Sequence, residues 1–457
     1  MQKVHFIAIG GAAMHNLAIA LSKKQDYLVT GSDDEIFEPS YSRLLEAGLL
    51  PVKKGWFPER IYPNLNAIIV GMHARPDNPE LLKAKELGLK IYSFPEYLYQ
   101  QTRNKTRIVV GGSHGKTTTT AMILHVLKKR RIEADYMVGA QIEGFDNMVK
   151  LSYDSRIAVF EGDEYLTSPL DPRPKFHLYK PHIAVLTGIA WDHINVFPTF
   201  EMYLAQFEKF IDLMEIQGRL IFFEGDEHLQ KMTGKIRRDI VPFPYNTPKH
   251  VVSDGITILK TRKGDVPLRI FGEHNLQNLQ AACLACKQIG ITEEQFYEAI
   301  SDFPGASNRM QKVCETANAV AYKDFAHSPS KLKATVHAVR QQYPNRKLIA
   351  CMELHTFSSL TGDFLPLYKG CMSEADEAFV YFNPEVIKHK GLKTIDKEEV
   401  RVAFGGEQLK VYTDSEELQK TLRAMQFENS ALLLMTSGNF SGLDLIAFAR
   451  SLLGVNQ

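Results

Sequence analysis

Residues 110–120 read VGGSHGKTTTT, a run with the composition of a phosphate-binding loop. The apolar stretch RIVV precedes the loop and the amphipathic stretch AMILHVLKK follows it, so the loop joins a predicted strand to a predicted helix. Gly112 and Gly115 let backbone N–H groups turn toward an anion, and the start of the helix adds its dipole. Lys116 is then placed to reach the β- and γ-phosphates of a nucleotide, and the Thr117 hydroxyl to bind Mg²⁺.

The loop departs from the strict phosphate-loop pattern at one position. That pattern has a glycine five residues before Gly115, where Val110 stands. The alternative is a glycine-rich turn that carries a surface lysine. Such a turn does not explain why Gly-Lys-Thr lies at a junction between a strand and a helix. We therefore predict a variant phosphate loop.

Acidic side chains follow two of the predicted strands. In the stretch IAVFEGDEY, the apolar run is followed by Glu161, Asp163 and Glu164. The stretch IAVLTGIAWDH ends in Asp192 and His193. Either end alone fits a solvated turn as well as a functional site. Because ligands bind at the carboxyl ends of parallel strands, the two ends and the loop together predict a nucleotide and metal site.

The order of predicted elements divides the chain into three consecutive α/β blocks. Strand and helix signals alternate through residues 1–105, again through 106–306, and again through 307–457. This alternation is typical of parallel sheets covered by helices. The polar stretch 99–106 is predicted to be a linker. That stretch and the turn-rich stretch 304–309 are the expected hinges.

Composition excludes several classes of protein. The 54 Lys and Arg residues balance 53 Asp and Glu residues, so nothing indicates a partner that is a nucleic acid or an anionic membrane. No run of 18 apolar residues and no signal peptide is present, which predicts a cytoplasmic protein. The five cysteines are scattered. Cys283 and Cys286 form a CxxC in a helical pattern and are predicted to be packed helix residues rather than metal ligands.

The loop, the two acidic strand ends and a later GEHNLQN, in this order and spacing, resemble the Mur ligase family. Members of that family use ATP to add amino acids or peptides to UDP-N-acetylmuramate precursors. The resemblance covers nearly the whole chain. It implies a Rossmann-like N-terminal domain that binds the UDP substrate, a P-loop ATPase central domain, and a Rossmann-like C-terminal domain that binds the incoming amine. It also implies ATP and Mg²⁺, an acyl-phosphate route to an amide, and a monomer or weak homodimer.

The resemblance assigns roles to particular residues. The catalytic residues are Lys116, Glu161, His193 and Arg309, and the metal ligands are Thr117, Glu161 and His193. The ATP-binding residues are Gly112, Ser113, His114, Gly115, Lys116, Thr117, Thr118, His274, Asn275, Asn278, Arg309 and Asp324. The residues for the UDP substrate are Gly10, Gly11, Ala12, Met14, Ser32 and Asp33, and those for the amine substrate are His327 and His355.

Three further stretches resemble the branch of the family that attaches an intact tripeptide, L-Ala-γ-D-Glu-meso-diaminopimelate. They are VTGSDDEIFEPSYSRLLEAGL, DEYLTSPLDPRPKFHLYKP and MTSGNFSGL. The branch that attaches L-alanine shares most motifs and is the alternative. A protein that binds ATP without ligating is the remote alternative.

Two departures from the family pattern concern the residues expected to bind the metal and the amine substrate. Several members carry a carbamylated lysine after the DH motif, and Gln206 stands nearest to that position, so no carbamate is predicted. In MELHTFSSL, His355 remains, but Thr356 and Ser359 stand where the alanine branch has cationic residues. The carboxylate contact of the alanine branch is therefore not predicted here, and a small polar surface suits a larger peptide at least as well as free alanine.

Overall fold

The computed structural model describes residues 1–455 except 143, 169, 192, 193, 195, 254, 307, 308 and 407. The chain forms two compact units. One comprises Met1–Ile189, Glu201–Tyr245 and Ala281–Glu293. The other comprises Ala190–Phe200, Asn246–Gln280 and Glu294–Gln457.

The chain begins with a four-stranded parallel sheet of order β2-β1-β3-β4. Its strands are β1 Gln2–Ile7, β2 Tyr27–Ser32, β3 Ala67–Val70 and β4 Ile91–Ser93, and its helices are α1 Ala12–Ser22, α2 Ser40–Glu46, α3 Pro79–Glu86 and α4 Phe94–Thr102. All four residues of β3 are buried, as expected for a parallel strand covered on both faces.

The predicted linker at 99–106 is largely wrong, because α4 continues to Thr102 and β5 begins at Thr106. A capping box between Ser93 and Glu96 begins this helix, and the buried side chain of Leu98 packs its C-terminal half. Only residues 103–105 connect the two elements. Of the polar residues in this part of the helix, Gln100 is exposed, whereas Thr102 is buried and donates to the Leu98 carbonyl at 2.8 Å.

A seven-stranded sheet of order β13-β12-β11-β5-β8-β6-β7 follows, parallel except between β6 and β7. Its strands are β5 Thr106–Gly111, β6 Ala134–Met137, β7 Val149–Lys150, β8 Ile157–Glu161, β11 Ile183–Leu186, β12 Arg219–Phe223 and β13 Val241–Tyr245. The hairpin of β9 Leu166–Ser168 and β10 Asp171–Pro174 lies between β8 and β11 in the chain, and the helices are α5 Lys116–Lys129, α6 Phe200–Asp212 and α7 Glu227–Thr233. Strand β5 lies between β8 and β11 in the sheet. The loop that follows β5 therefore lies beside the carboxyl ends of both neighbouring strands.

Three antiparallel strands and two helices come next in the chain. They are β14 His250–Ser253, β15 Ile256–Thr261, β16 Gly264–Leu268, α8 Glu273–Lys287 and α9 Glu293–Ile300. Cys283 and Cys286 are both buried in α8, which agrees with their prediction as packed helix residues.

The last sheet has the order β17-β18-β22-β19-β20-β21 and is parallel except between β17 and β18. Its strands are β17 Gln311–Glu315, β18 Ala319–Asp324, β19 Lys347–Leu354, β20 Glu377–Phe382, β21 Lys410–Tyr412 and β22 Ser430–Met435, and its helices are α10 Pro329–Gln342, α11 Pro384–His389, α12 Lys397–Phe404, α13 Ser415–Arg423 and α14 Leu445–Leu452. Along β22, Leu433 joins one buried cluster while Leu432 and Leu434 join another, so both faces of the sheet are covered.

The three α/β sheets in chain order confirm the predicted fold class. The domain boundaries after residues 105 and 306 stay predictions. In the described part of the chain, no helix combines the length and the apolar character needed to span a bilayer.

Candidate active site

The phosphate loop leaves β5 at Gly111 and enters α5 through two glycines with positive φ. Gly112 has φ +130°, and Gly115, the N-cap of α5, has φ +77°. L-residues with side chains rarely adopt these angles, so the glycines are required by the backbone path. The N–H of Ser113 donates to the carbonyl of Gly188 at 3.0 Å, which ties the loop to the segment after β11.

Lys116 is the first residue of α5, and its ammonium is held by two acceptors. Nζ donates to Glu164 Oε2 at 2.7 Å and to the Gly112 carbonyl at 2.6 Å. Its side chain is 14% exposed. Burial lowers the pKa of this ammonium, but the charges of Glu164, Asp163 and Glu161 outweigh burial, so the pKa is raised. Lys116 is therefore charged at neutral pH, as its predicted role in binding phosphate requires.

Glu161 ends β8 beside the first turn of α5. Thr117 Oγ1 donates to Glu161 Oε1 at 2.9 Å, and the N–H of Gly139 donates to Oε2 at 2.8 Å. A hydroxyl and a carboxylate are the hard oxygen ligands that Mg²⁺ prefers, so these residues fit the ion. The third predicted ligand, His193, lies outside the described residues, as does Asp192. In the described ranges, no three His, Cys, Asp or Glu residues form a group able to hold a metal.

Sequence reasoning did not identify Tyr203, which α6 presents to the loop. Its hydroxyl donates to Glu164 Oε1 at 2.9 Å and lies 2.8 Å from Ser113 Oγ. The sequence directed attention to Gln206 on the same helix, but that side chain donates to the Met202 carbonyl at 2.8 Å. The helical spacing of Tyr203 with Phe207 and Phe210 was the available signal, and it indicates core packing as readily as a site.

A cavity of about 660 Å³ lies at the predicted UDP site of the first sheet. It is lined by the predicted residues Gly10, Gly11, Ala12 and Asp33, together with others that include His73 and Arg75. The N–H of Gly10 donates to Asp33 Oδ2 at 2.7 Å, and burial raises the pKa of that carboxyl. The side chains of Met14 and Ser32 are buried, and neither residue lines the cavity.

The predicted adenine-binding residues lie in the first turns of α8. Asn275 and Asn278 are buried, and Asn275 Nδ2 donates to the Phe271 carbonyl at 2.9 Å. Burial lowers the pKa of His274 despite the charges of Asp324 and Glu273, so the imidazole is neutral near pH 7.

Arg309 and Asp324 belong to the second unit, and the phosphate loop belongs to the first. The guanidinium of Arg309 lies 4.6 Å from the ring centre of Phe325, a cation–π contact. Asp324 is buried, with Oδ2 accepting from the N–H of Met310 at 2.6 Å and Oδ1 from that of Ala326 at 2.8 Å. This carboxylate therefore also holds the backbone around the end of β18.

The predicted amine-site residues follow β18 and β19. His327 Nδ1 lies 2.8 Å from the Phe325 carbonyl, and His355 Nδ1 lies 3.7 Å from Glu353 Oε1. Ser359 is fully buried, and its hydroxyl donates to the Thr356 carbonyl at 3.1 Å. Ser359 therefore stabilises its own turn and is not presented to a substrate.

Three family models match consecutive stretches of the chain. The model described as "Mur ligase family, catalytic domain" matches residues 3–106. "Mur ligase middle domain" matches 110–286, and "Mur ligase, glutamate ligase domain" matches 308–438. The chain belongs to the Mur ligase family. It is therefore an ATP-dependent, ADP-forming ligase that makes amide bonds.

The similar proteins and solved structures are also Mur ligases. The UDP-N-acetylmuramate–L-alanine ligase of Carboxydothermus hydrogenoformans is 30% identical over 370 residues, which are 78% of this chain and 77% of that protein. The crystal structure of the UDP-N-acetylmuramate–alanine ligase of Thermotoga maritima has a TM-score of 0.70 at 22% identity, covering 99% of both chains. The murein peptide ligase of Psychrobacter arcticus has a TM-score of 0.64 at 21% identity, covering 100% of this chain and 98% of that one. At these identities, the two structures show that the fold is shared.

Proposed function

We propose that this Mur ligase joins the carboxylate of UDP-N-acetylmuramate to the amine of the tripeptide L-Ala-γ-D-Glu-meso-diaminopimelate, in the cytoplasm. ATP would bind at the loop that carries Lys116. The UDP substrate would bind in the cavity beside Gly10 and Asp33. The tripeptide would bind at the end of the last sheet that carries His327 and His355.

The chemistry follows from the poor reactivity of a carboxylate toward amines. The muramyl carboxylate attacks the γ-phosphorus of ATP, which gives an acyl phosphate and ADP. The peptide amine then attacks the acyl carbon, loses a proton and expels inorganic phosphate. Lys116 would stabilise the charge that develops on the phosphoryl oxygens. Thr117 and Glu161 would hold Mg²⁺, which neutralises phosphate charge when it is bound.

The observation that favours the tripeptide is the absence of lysine and arginine from the stretch of sequence that contains His355. No lysine or arginine occurs in the sequence between Lys347 and Lys369. Free L-alanine carries a carboxylate one carbon away from its amine, and a charged partner would best bind that group. In the tripeptide the same carbonyl is a neutral amide, which needs only a neutral hydrogen-bond donor. Thr356 is a residue of that kind.

L-Alanine is the second candidate substrate. The observation that favours it is the name of the relatives at about 30% identity, which are UDP-N-acetylmuramate–L-alanine ligases. That identity is compatible with either amine.

The test measures phosphate release with ATP, Mg²⁺ and UDP-N-acetylmuramate, adding the tripeptide, L-alanine or no amine in parallel, with product mass as confirmation. We expect turnover with the tripeptide and little with L-alanine. Turnover with L-alanine alone would refute the proposed substrate and support the second candidate. ATP binding without turnover on either amine would support the non-catalytic alternative.

A further inference from the structure

Four side chains form a closed ring at the phosphate loop. Lys116 Nζ donates to Glu164 Oε2 at 2.7 Å, and Tyr203 Oη donates to Glu164 Oε1 at 2.9 Å. Ser113 Oγ lies 2.8 Å from Tyr203 Oη. Since the hydroxyl hydrogen of Tyr203 is directed at Glu164, the serine is the donor in that last bond. Ser113 and Lys116 belong to the same loop, which closes the ring.

The ring joins three separate elements in a largely buried environment. Tyr203 comes from α6, Glu164 from the segment after β8, and the other two residues from the loop before α5 and its first turn. Tyr203 and Glu164 are fully buried. Hydrogen bonds to a buried carboxylate are strong because water does not compete for it, and a missing donor is correspondingly costly.

We infer that Tyr203 is a positioning residue for Lys116 and that it acts through Glu164. Each oxygen of Glu164 has its own donor in the ring, so the carboxylate plane is fixed from both sides. Without the tyrosine hydroxyl, Glu164 Oε1 loses this donor, and the carboxylate that accepts from the Lys116 ammonium is held less firmly. The long lysine stem provides little rigidity of its own. The inference rests on the proposed role of Lys116 in binding the β- and γ-phosphates.

A purely structural role of Tyr203 can be tested separately from its proposed positioning role. Its ring packs edge-on against Phe207, with the ring centres 5.2 Å apart. Tyr203→Phe keeps that packing and removes only the hydroxyl. A matched control is Tyr179→Phe, because Tyr179 is also fully buried in the same unit and its hydroxyl has no hydrogen-bond partner among the described residues.

The experiment measures the binding of ATP with Mg²⁺ and of AMP by calorimetry. AMP lacks the two phosphates that Lys116 would contact. We expect Tyr203→Phe to weaken ATP binding about 10-fold and to leave AMP binding unchanged, with Tyr179→Phe like the wild type for both. Equal losses for ATP and AMP, or no loss for either, would overturn the inference.

A double-mutant cycle tests whether the effect passes through Glu164. In a Glu164→Ala background, Tyr203→Phe is expected to change ATP binding less than 2-fold; losses that add fully would overturn the inference. Lys116→Ala separates the two proposals. If it leaves ATP binding intact, the phosphate role of the loop fails. If it weakens ATP binding while Tyr203→Phe does not, only the positioning role fails. Thermal unfolding of each variant identifies any that do not fold.

Discussion

At the scale of single residues, the charge of Lys116 is already paired with acceptors within the protein. Its ammonium contacts the Glu164 carboxylate and the Gly112 carbonyl, and 86% of the side chain is removed from solvent. A buried cation of this kind needs such acceptors, since desolvation alone disfavours its charge. The same ammonium is the group that we propose to contact the phosphates of ATP.

Lys116→Ala should reduce ligase activity by about 10²- to 10⁴-fold, the range typical of losing a group that stabilises charge in a transition state. The measurement is ADP formation at saturating substrates. Lys231→Ala is the control, because that side chain is 74% exposed and 3.9 Å from its nearest carboxylate partner. Equal activity of the two variants would show that Lys116 has no role in catalysis.

Thr356→Arg should raise kcat/KM for L-alanine about 10-fold while lowering that for the tripeptide, because it adds a cation to a stretch that has no lysine or arginine between Lys347 and Lys369. The hydroxyl of Thr356 also accepts from the N–H of Ser359 at 3.1 Å. Thr356→Val therefore serves as the control, since it loses that hydrogen bond without adding charge. An L-alanine rate unchanged in both variants would place the amine carboxylate elsewhere.

At the scale of elements, the loop between β5 and α5 depends on the end of β11. The Thr187 N–H donates to the Gly111 carbonyl at 3.1 Å, and the Thr187 hydroxyl donates to the His114 carbonyl. A Cβ on Gly112 would collide with Thr187 Oγ1 and lie 3.0 Å from the Thr187 backbone N. The loop and the end of the neighbouring strand therefore form one packed unit.

Gly112→Ala should lower both the thermal midpoint and the affinity for ATP. Gly264→Ala is the matched control, because Gly264 has φ +129° against +130° for Gly112 and a Cβ there would meet nothing within 4 Å. The two variants share the backbone strain, so the difference between their thermal midpoints reports the collision. Similar midpoints for both variants would contradict the tight packing described for the loop. Differential scanning calorimetry and ATP titration provide the two measurements.

At the scale of the whole molecule, four histidines with lowered pKa values make stability depend on pH. Burial lowers the pKa values of His15, His177, His182 and His274 in the folded chain. In His182 the nearby charge of Arg107 lowers the pKa further, and Nδ1 accepts from the Arg107 N–H at 3.2 Å. Protonation of that nitrogen would remove the acceptor.

The thermal midpoint should therefore fall as the pH is lowered from 7.5 to 5.5. Below about pH 6.5 the unfolded chain binds protons at these histidines and the folded chain does not, so unfolding becomes more favourable. Each such proton contributes at most ~1.4 kcal/mol per pH unit. His182→Asn keeps a hydrogen-bonding side chain but does not titrate, so it should make the decline less steep. A midpoint that does not change over this interval would contradict the pKa directions.

Much of the arrangement at the proposed phosphate site was predictable from sequence because its parts are local or lie at strand ends. Gly115, Lys116 and Thr117 are consecutive, so the start of α5 fixes their relation. Glu161 follows an apolar run, and the ends of parallel strands converge at one edge of a sheet. The prediction of a linker at 99–106 was wrong because the capping box of α4 stabilises the start of a helix that continues into this polar stretch. The two residues of the box are three positions apart in sequence.

The sequence by itself determined three α/β blocks, the Gly-Lys-Thr loop and the acidic strand end, since the period of apolar residues and the chemistry of turns are local properties. Only the tertiary structure decided which side chain of α6 meets the loop. Tyr203 and Gln206 lie one turn apart on that helix, and the rotation of a helix about its axis is set by packing. The ring from Lys116 through Glu164 and Tyr203 to Ser113 spans 90 residues of chain, and no local pattern encodes a contact across that separation.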